Sequence, residues 1–159
     1  MNKVSEFIAG LPYMKGLGFD TFAIYTQAYL ETGNFTCRLS PVNNFTGMMP
    51  RPDCPYPSQK FWTHEYEHGV KVDRFSEFNV YPTVHDYFVD YNNMVSKKFP
   101  IAYKERGDYQ KYFKGIMTYD KNGDIIYPSF CTAKGYENKL IDLYDYLNKN
   151  THYELKVMI

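Results

Sequence analysis

Five prolines, Pro41, Pro50, Pro52, Pro55 and Pro57, punctuate one stretch of the chain. Each locks φ at about −65° and lacks the N–H that a helix interior or a central strand has to donate. No regular element runs through such a stretch, so Cys37 to Lys60 reads as loop, and the chain divides around it. Before it lies a well-marked helix from about Asp20 to Thr32. Asp20 is a side-chain N-cap, Phe22, Tyr25, Ala28 and Tyr29 recur at helical spacing, and Gly33 supplies a C-terminal stop. After it, a strand-like run from Phe61 to Glu67, a His68-Gly69 turn and a second run from Val70 to Phe78 predict a β-hairpin.

Further along, Thr83 caps a helix to about Lys97 that carries Val84, Tyr87, Phe88, Tyr91 and Val95 on one face. A short helix is expected over Asp108 to Ile116. Asn122-Gly123, between strand-like flanks, predicts a second, small hairpin over Tyr119 to Tyr127. A last helix runs from about Tyr136 to Asn148, with Leu140, Leu143, Tyr144 and Leu147 inward. No internal repeat, low-complexity segment or linker interrupts this order. The expected class is α+β, a mainly helical body with a small β-hairpin lobe, in one domain over residues 1–159.

Formal net charge is zero, from 18 basic and 18 acidic side chains, which argues against a broad grip on nucleic acid or an anionic membrane. No stretch approaches the roughly 18 apolar residues of a membrane span. The N-terminal residues lack the apolar run of a signal peptide, which points to a chain made in the cytosol. Cys37, Cys54 and Cys131 are odd in number and form no CxxC, so reduced thiols are expected and a zinc site is not. His64, His68, His85 and His152 show no metal-binding spacing. Asp120-Lys121-Asn122-Gly123-Asp124 reads as a turn rather than a calcium loop. The glycine required at the sixth position is missing, and Cys131 stands where the bidentate glutamate belongs. Aromatic residues reach 19%, 17 of them Tyr. Two readings stay open for them: a Tyr-rich core and rim, or rings lining a sugar groove.

Glu31 sits in the last turn of the Asp20–Thr32 helix, in TQAYLETGNF. The negative end of the helix dipole and partial burial would each raise its pKa, as a general acid working near neutral pH requires. The plain alternative is a solvated helix-end glutamate.

Four blocks in order carry a resemblance that bears on that choice. Gln27, Ala28, Leu30, Glu31, Thr32 and Gly33, then Asn43, Asn44 and Gly47, then Thr63, Glu65, Tyr66 and Gly69, then Phe78, Tyr81 and Thr83 resemble the glucosaminidases of glycoside hydrolase family 73. Tyr136, Lys139 and Leu140 are similar to the family's closing helix. The resemblance covers about residues 5 to 147. It implies a lysozyme-like fold whose hairpin borders a catalytic groove, and cleavage of the N-acetylglucosaminyl-β-1,4-N-acetylmuramic acid bond of bacterial peptidoglycan. Glu31 is then the acid and Glu65 the second carboxylate, with Glu67 a substitute and Asp73 and Glu77 weaker candidates. For Glu65 the plain alternative is a cross-strand charge pair.

The same resemblance, with the residues themselves, makes Asn44, Trp62, Tyr66, Tyr127 and Phe130 candidates for substrate contact. Trp62 either stacks on sugar or packs the hairpin onto the body. Asn43 and Asn44 either meet an acetamido group or hold the loop backbone. Phe130-Cys131-Thr132 departs from the family's Y-A-T block and loses a hydroxyl, which Tyr127 is the candidate to replace. Phe45-Thr46 and Asn34-Phe35 depart as well. No cofactor or metal is implied. The expected partner is the peptidoglycan glycan strand, with no nucleic acid and no membrane insertion. Delivery to the cell wall is expected from a phage, as a released endolysin or among virion proteins. The alternatives are a muramidase or lytic transglycosylase on the same fold, or a wall-binding or virion structural module.

Overall fold

The structure, a computed structural model, describes residues 2–150, with the backbone but not the side chains of Glu65, Tyr66 and Glu67. His152 lies outside the described residues. The elements in order are α1 (Lys3–Gly16), α2 (Thr21–Thr32), a 3₁₀ turn (Ser40–Val42), β1 (Ser58–Glu67), β2 (Val70–Asn79), α3 (Val84–Lys98), α4 (Pro100–Lys104), α5 (Tyr109–Gly115) and α6 (Tyr136–Asn150). This is the expected α+β class, with one antiparallel two-stranded sheet among the described residues.

The α2 helix is the centre of the helical body. Asp20 caps it through bonds from the Phe22 and Ala23 amides, and Gly33 closes it in the left-handed region at φ 56°. Rather than burying one face, it is buried all round from Thr21 to Ala28. A helix enclosed on all sides tolerates polar residues only if they are satisfied. Thr26 meets this by donating to the Phe22 carbonyl at 2.8 Å. The α1 helix packs on one side of α2 and α6 on another, and α1 also crosses α3. At that crossing Gly10 is required, because a Cβ there would come within 2.7 Å of the Phe88 ring. The α1 helix was not expected. Its apolar residues Phe7, Ile8, Leu11 and Met14 have helical spacing and are buried, but Gly10 and Pro12 weaken the local helical signal. The α4 helix, which Pro100 starts, was not expected either.

The proline-rich loop is held onto the body by buried side chains. Asn43 donates to the Tyr81 carbonyl at 2.9 Å. Arg51 forms a salt bridge with Asp90 on α3 at 2.5 Å. Pro57 ends the loop and β1 begins at Ser58, three residues before the expected Phe61. His68 and Gly69 turn the hairpin with φ values of 50° and 79°, the double positive-φ geometry that suits the strand twist. The Trp62↔Phe75 pair lies on one hairpin face. Phe61 and Phe78 pack edge to face on the other, where Ser76 is buried.

The second hairpin is corrected. Tyr119 to Tyr127 contains a single antiparallel bridge, Tyr119↔Ile125, and no strands. The turn itself is present because the Asp120 carboxylate accepts from the Asn122 and Asp124 amides at 2.8 and 2.9 Å. That local Asx bonding competes with a strand ladder for the same N–H groups.

Many of the aromatic residues are core, and others pack against it as a rim. Tyr81, Tyr87, Tyr91 and Tyr112 are among the largest fully buried side chains, and Phe7 touches the rings of Phe35, Phe45, Tyr87 and Phe88.

Candidate active site

Glu31 emerges from the C-terminal turn of α2 onto the floor of an open cleft. Glu31, Leu30, Cys131, Lys134, Tyr136 and Lys139 are among its lining residues, and its volume is about 470 Å³. Glu31 is solvent-exposed at the cleft, and the packed neighbours behind its carboxyl desolvate it only from the helix side. Burial therefore holds its pKa above the ordinary carboxylate value, while the Tyr136 hydrogen bond and the Lys139 charge pull it partly back down.

The hydroxyl on Glu31 comes from Tyr136, at the start of α6, which donates to Glu31 Oε1. Burial beside Glu31 keeps the Tyr136 phenol protonated, with its pKa well above the usual value. Behind it the donors can be assigned by proton counting. Gln27 Nε2 lies 3.5 Å from the Tyr136 hydroxyl and donates to it. Tyr91 donates its only hydroxyl proton to Gln27 Oε1. In the 2.5 Å contact between the Tyr91 and Tyr112 hydroxyls, Tyr112 must then be the donor. The chain Tyr112, Tyr91, Gln27, Tyr136 thus points every donor toward one oxygen of Glu31. Oε1 is committed to accepting, and Oε2 accepts no bond from this chain of donors.

This geometry predicts the behaviour of Tyr136→Phe. Losing the donor removes an influence that lowers the Glu31 pKa, so the alkaline limb of the rate–pH profile should move to higher pH. The rate on the acid side should fall about tenfold through lost orientation of the carboxyl. A profile with an unmoved alkaline limb would refute the link between Tyr136 and the titrating acid.

Several expected site residues take other places. Phe130 stacks flat on Tyr136, with centroids 5.7 Å apart and planes at 6°, so the ring that lost its hydroxyl supports the one that supplies it. Tyr127 is not that source. It is 82% exposed, in a second groove with Arg51, Pro52, Lys97 and Lys98. Asn44, expected among the sugar contacts, is fully buried. Its amide donates to the Met48 and Asn79 carbonyls and accepts from the Met48 amide at 2.9 to 3.0 Å, so it holds the loop. Trp62 is 43% exposed and meets cross-strand Phe75 edge to face at 4.9 Å. Glu65 and Tyr66 pair in the ladder with Val72 and Lys71, and their side chains, with that of Glu67, lie outside the described residues. Asp73 contacts His64 across the hairpin, and Glu77 accepts from Ser58 at 2.5 Å. Both are therefore cross-strand partners. Among the described residues, no group of three His, Cys, Asp or Glu side chains is placed to hold a metal ion.

Gln27 and Tyr136 were missed as site residues. Their signal was present, since both fall in the motif blocks around Glu31 and the closing helix. The missing hydroxyl at Phe130 points along the chain to Tyr127, three residues earlier, whereas the hydroxyl on Glu31 belongs to Tyr136, six residues later.

Acid-catalysed glycoside cleavage needs a carboxyl that resists ionisation and meets a sugar in an open groove. Glu31 offers a carboxyl of raised pKa in an open cleft, an arrangement suited to the chemistry of a glycosidase. The sequence model of the glucosaminidase family, described as mannosyl-glycoprotein endo-beta-N-acetylglucosaminidase, matches residues 12–149, and the chain belongs to that family. In fold it is similar to a peptidoglycan hydrolase mutant from Sphingomonas sp. A1, at 20% identity over 96% of this chain and 93% of that one, with a TM-score of 0.67. It is also similar to a truncated glycoside hydrolase domain of FlgJ from Salmonella typhimurium, at 19% identity over 92% and 96%, with a TM-score of 0.64. The catalytic domain of the autolysin Auto from Listeria monocytogenes gives 17% identity over 99% and 85%, with a TM-score of 0.63. No curated protein matches the chain in sequence.

Proposed function

We propose that the chain, acting as a single domain, hydrolyses the N-acetylglucosaminyl-β-1,4-N-acetylmuramic acid bond of bacterial peptidoglycan with Glu31 as the general acid. The observation that carries this is the raised pKa of Glu31 on the cleft floor with one oxygen held by Tyr136. The names of the structurally similar peptidoglycan hydrolase and autolysin support the choice of polymer. In this reading Glu31 Oε2 gives its proton to the glycosidic oxygen as the C1–O bond breaks. The positive charge that develops on the sugar is met by a second carboxylate, Glu65, or by water that it activates. No cofactor takes part. We further propose delivery by a phage, as an endolysin or a virion component, in keeping with the expectation above. The chain's presence among the proteins of purified particles tests the virion form.

The decisive experiment is mass spectrometry of digested cell wall. A new reducing-end N-acetylglucosamine is expected. Reducing-end N-acetylmuramic acid would assign a muramidase and an anhydro-sugar a lytic transglycosylase, and either would overturn the proposed bond. Binding to wall without product would mark a binding module. The same digest with Glu65→Gln and Glu67→Gln identifies the second carboxylate by which variant loses product.

A further inference from the structure

A second depression lies on the other side of the ring stack that bounds the Glu31 cleft. Cys131 lines the cleft with Glu31, and its neighbour Phe130 lines an adjoining groove of about 250 Å³. The Phe130–Tyr136 stack is the wall the two share. The adjoining groove has Met94, Arg51 and Lys98 in common with a third depression of about 360 Å³, where Tyr127 stands. A track therefore runs from Phe130 to Lys98 and Tyr127, with the Phe130–Tyr136 stack standing between it and the Glu31 cleft.

The far end of this track carries a surplus positive charge. Arg51 is bound to buried Asp90 at 2.5 Å, and Asp53 lies 3.7 Å from Arg51 Nε and 2.7 Å from Lys97 Nζ. Two carboxylates thus face two cations, and Lys98 remains. It is half-buried, and its ammonium lies 5.5 Å from the ring centroids of both Phe99 and Tyr127. No carboxylate among the described residues pairs with it. The two rings position the ammonium at the groove without neutralising it, beside an exposed aromatic face suited to a sugar or peptide.

We propose that Lys98, with Tyr127, forms a subsite for a carboxylate carried by the substrate strand at a distance from the scissile bond. This rests on the proposed peptidoglycan reading. Two sources share that chemistry: a carboxylate of the stem peptide, and the lactyl carboxylate that is freed when the peptide is removed. The subsite would make the chain prefer one chemical form of the strand, through KM rather than through the acid step.

The test compares wild type with Lys98→Ala and Lys98→Glu on peptide-bearing strands and on amidase-stripped strands. A fall in kcat/KM of about tenfold for Lys98→Glu, smaller for Lys98→Ala and carried by KM, is expected for one half-buried charge contact reversed. Loss on peptide-bearing strands alone assigns the stem-peptide carboxylate, and loss on stripped strands alone the lactyl carboxylate. Unchanged kcat/KM on both would overturn the subsite. So would an equal loss on both that persists at high salt, which would place Lys98 on the sugar backbone instead. Sedimentation with sacculi in a Glu31→Gln background separates this from the function itself. Salt-sensitive binding that Lys98→Glu weakens supports the subsite even where no cleavage occurs. Binding indifferent to Lys98 overturns it.

Discussion

Glu31→Gln should lower wall-degrading activity by about a thousandfold, the middle of the range attributed to a positioned general acid, while the protein stays folded. Gln keeps an acceptor for Tyr136 but has no proton to give. The stability effect has the opposite sign. Burial raises the Glu31 pKa in the folded state. Its favourable contribution is therefore complete below the unfolded carboxylate pKa and is lost as pH rises through the folded value. The ionised form of Glu31 is a charge that the cleft disfavours. Glu31→Gln should accordingly melt at an equal or higher temperature than wild type at pH 7, and lose that advantage in acid. For the same reason, wild-type activity should fall on the alkaline side as Glu31 ionises. Zymogram clearing together with melts at two pH values reads all of this. An active Glu31→Gln variant would remove Glu31 from catalysis altogether.

The largest structural effect is expected at Asp90. It is 2% exposed and accepts from Arg51 at 2.5 Å and from the Tyr81 hydroxyl at 2.6 Å. Cys54 Sγ lies 3.8 Å away. Asp90→Ala leaves a largely enclosed guanidinium without its carboxylate, and breaking such a pair from one side costs about 3 kcal/mol. For a chain of this size that corresponds to a melting temperature lower by about 10 °C. Asp90→Asn keeps an acceptor for Tyr81 and should fall in between. Because Arg51 belongs to the proline-rich loop, Asp90→Ala should also raise KM before kcat, as the groove beside Phe130 loses its edge. A melt indistinguishable from wild type would show that the loop is held by other contacts, such as those of Asn43 and Asn44.

Much of the fold was legible in the sequence because its signals are local. Asp20 and Gly33 bound α2, the Thr83–Asp86 pairing that starts α3 is a capping box, and His68-Gly69 turns the hairpin. Local signals misled where tertiary packing decides. Gly10 and Pro12 weaken a helix on paper, but in α1 the missing Cβ of Gly10 is what lets Phe88 approach. The strand-like flanks of Asn122-Gly123 yield one bridge because Asp120 takes the turn amides.

The site was legible only in part, for a related reason. Glu31 is marked by its position and its motif. Tyr136 is separated from it by 105 positions, and nothing along the chain says that the start of α6 faces the end of α2. Asn44 shows the converse. A residue within a functional-looking block is fully committed to its own loop, which can be seen only once the carbonyls of Met48 and Asn79 are in place.

The donor chain behind Glu31 draws one residue from each of four helices: Tyr112 from α5, Tyr91 from α3, Gln27 from α2 and Tyr136 from α6. The Glu31 carboxyl is therefore wired to the docking of all four helices. Detaching any one of these helices breaks a link in the chain of donors that ends on Oε1. A half-folded copy would then hold the cleft residues without the Tyr136 contact on Glu31, and on the proposed mechanism catalysis would be reserved for chains whose helices have all docked.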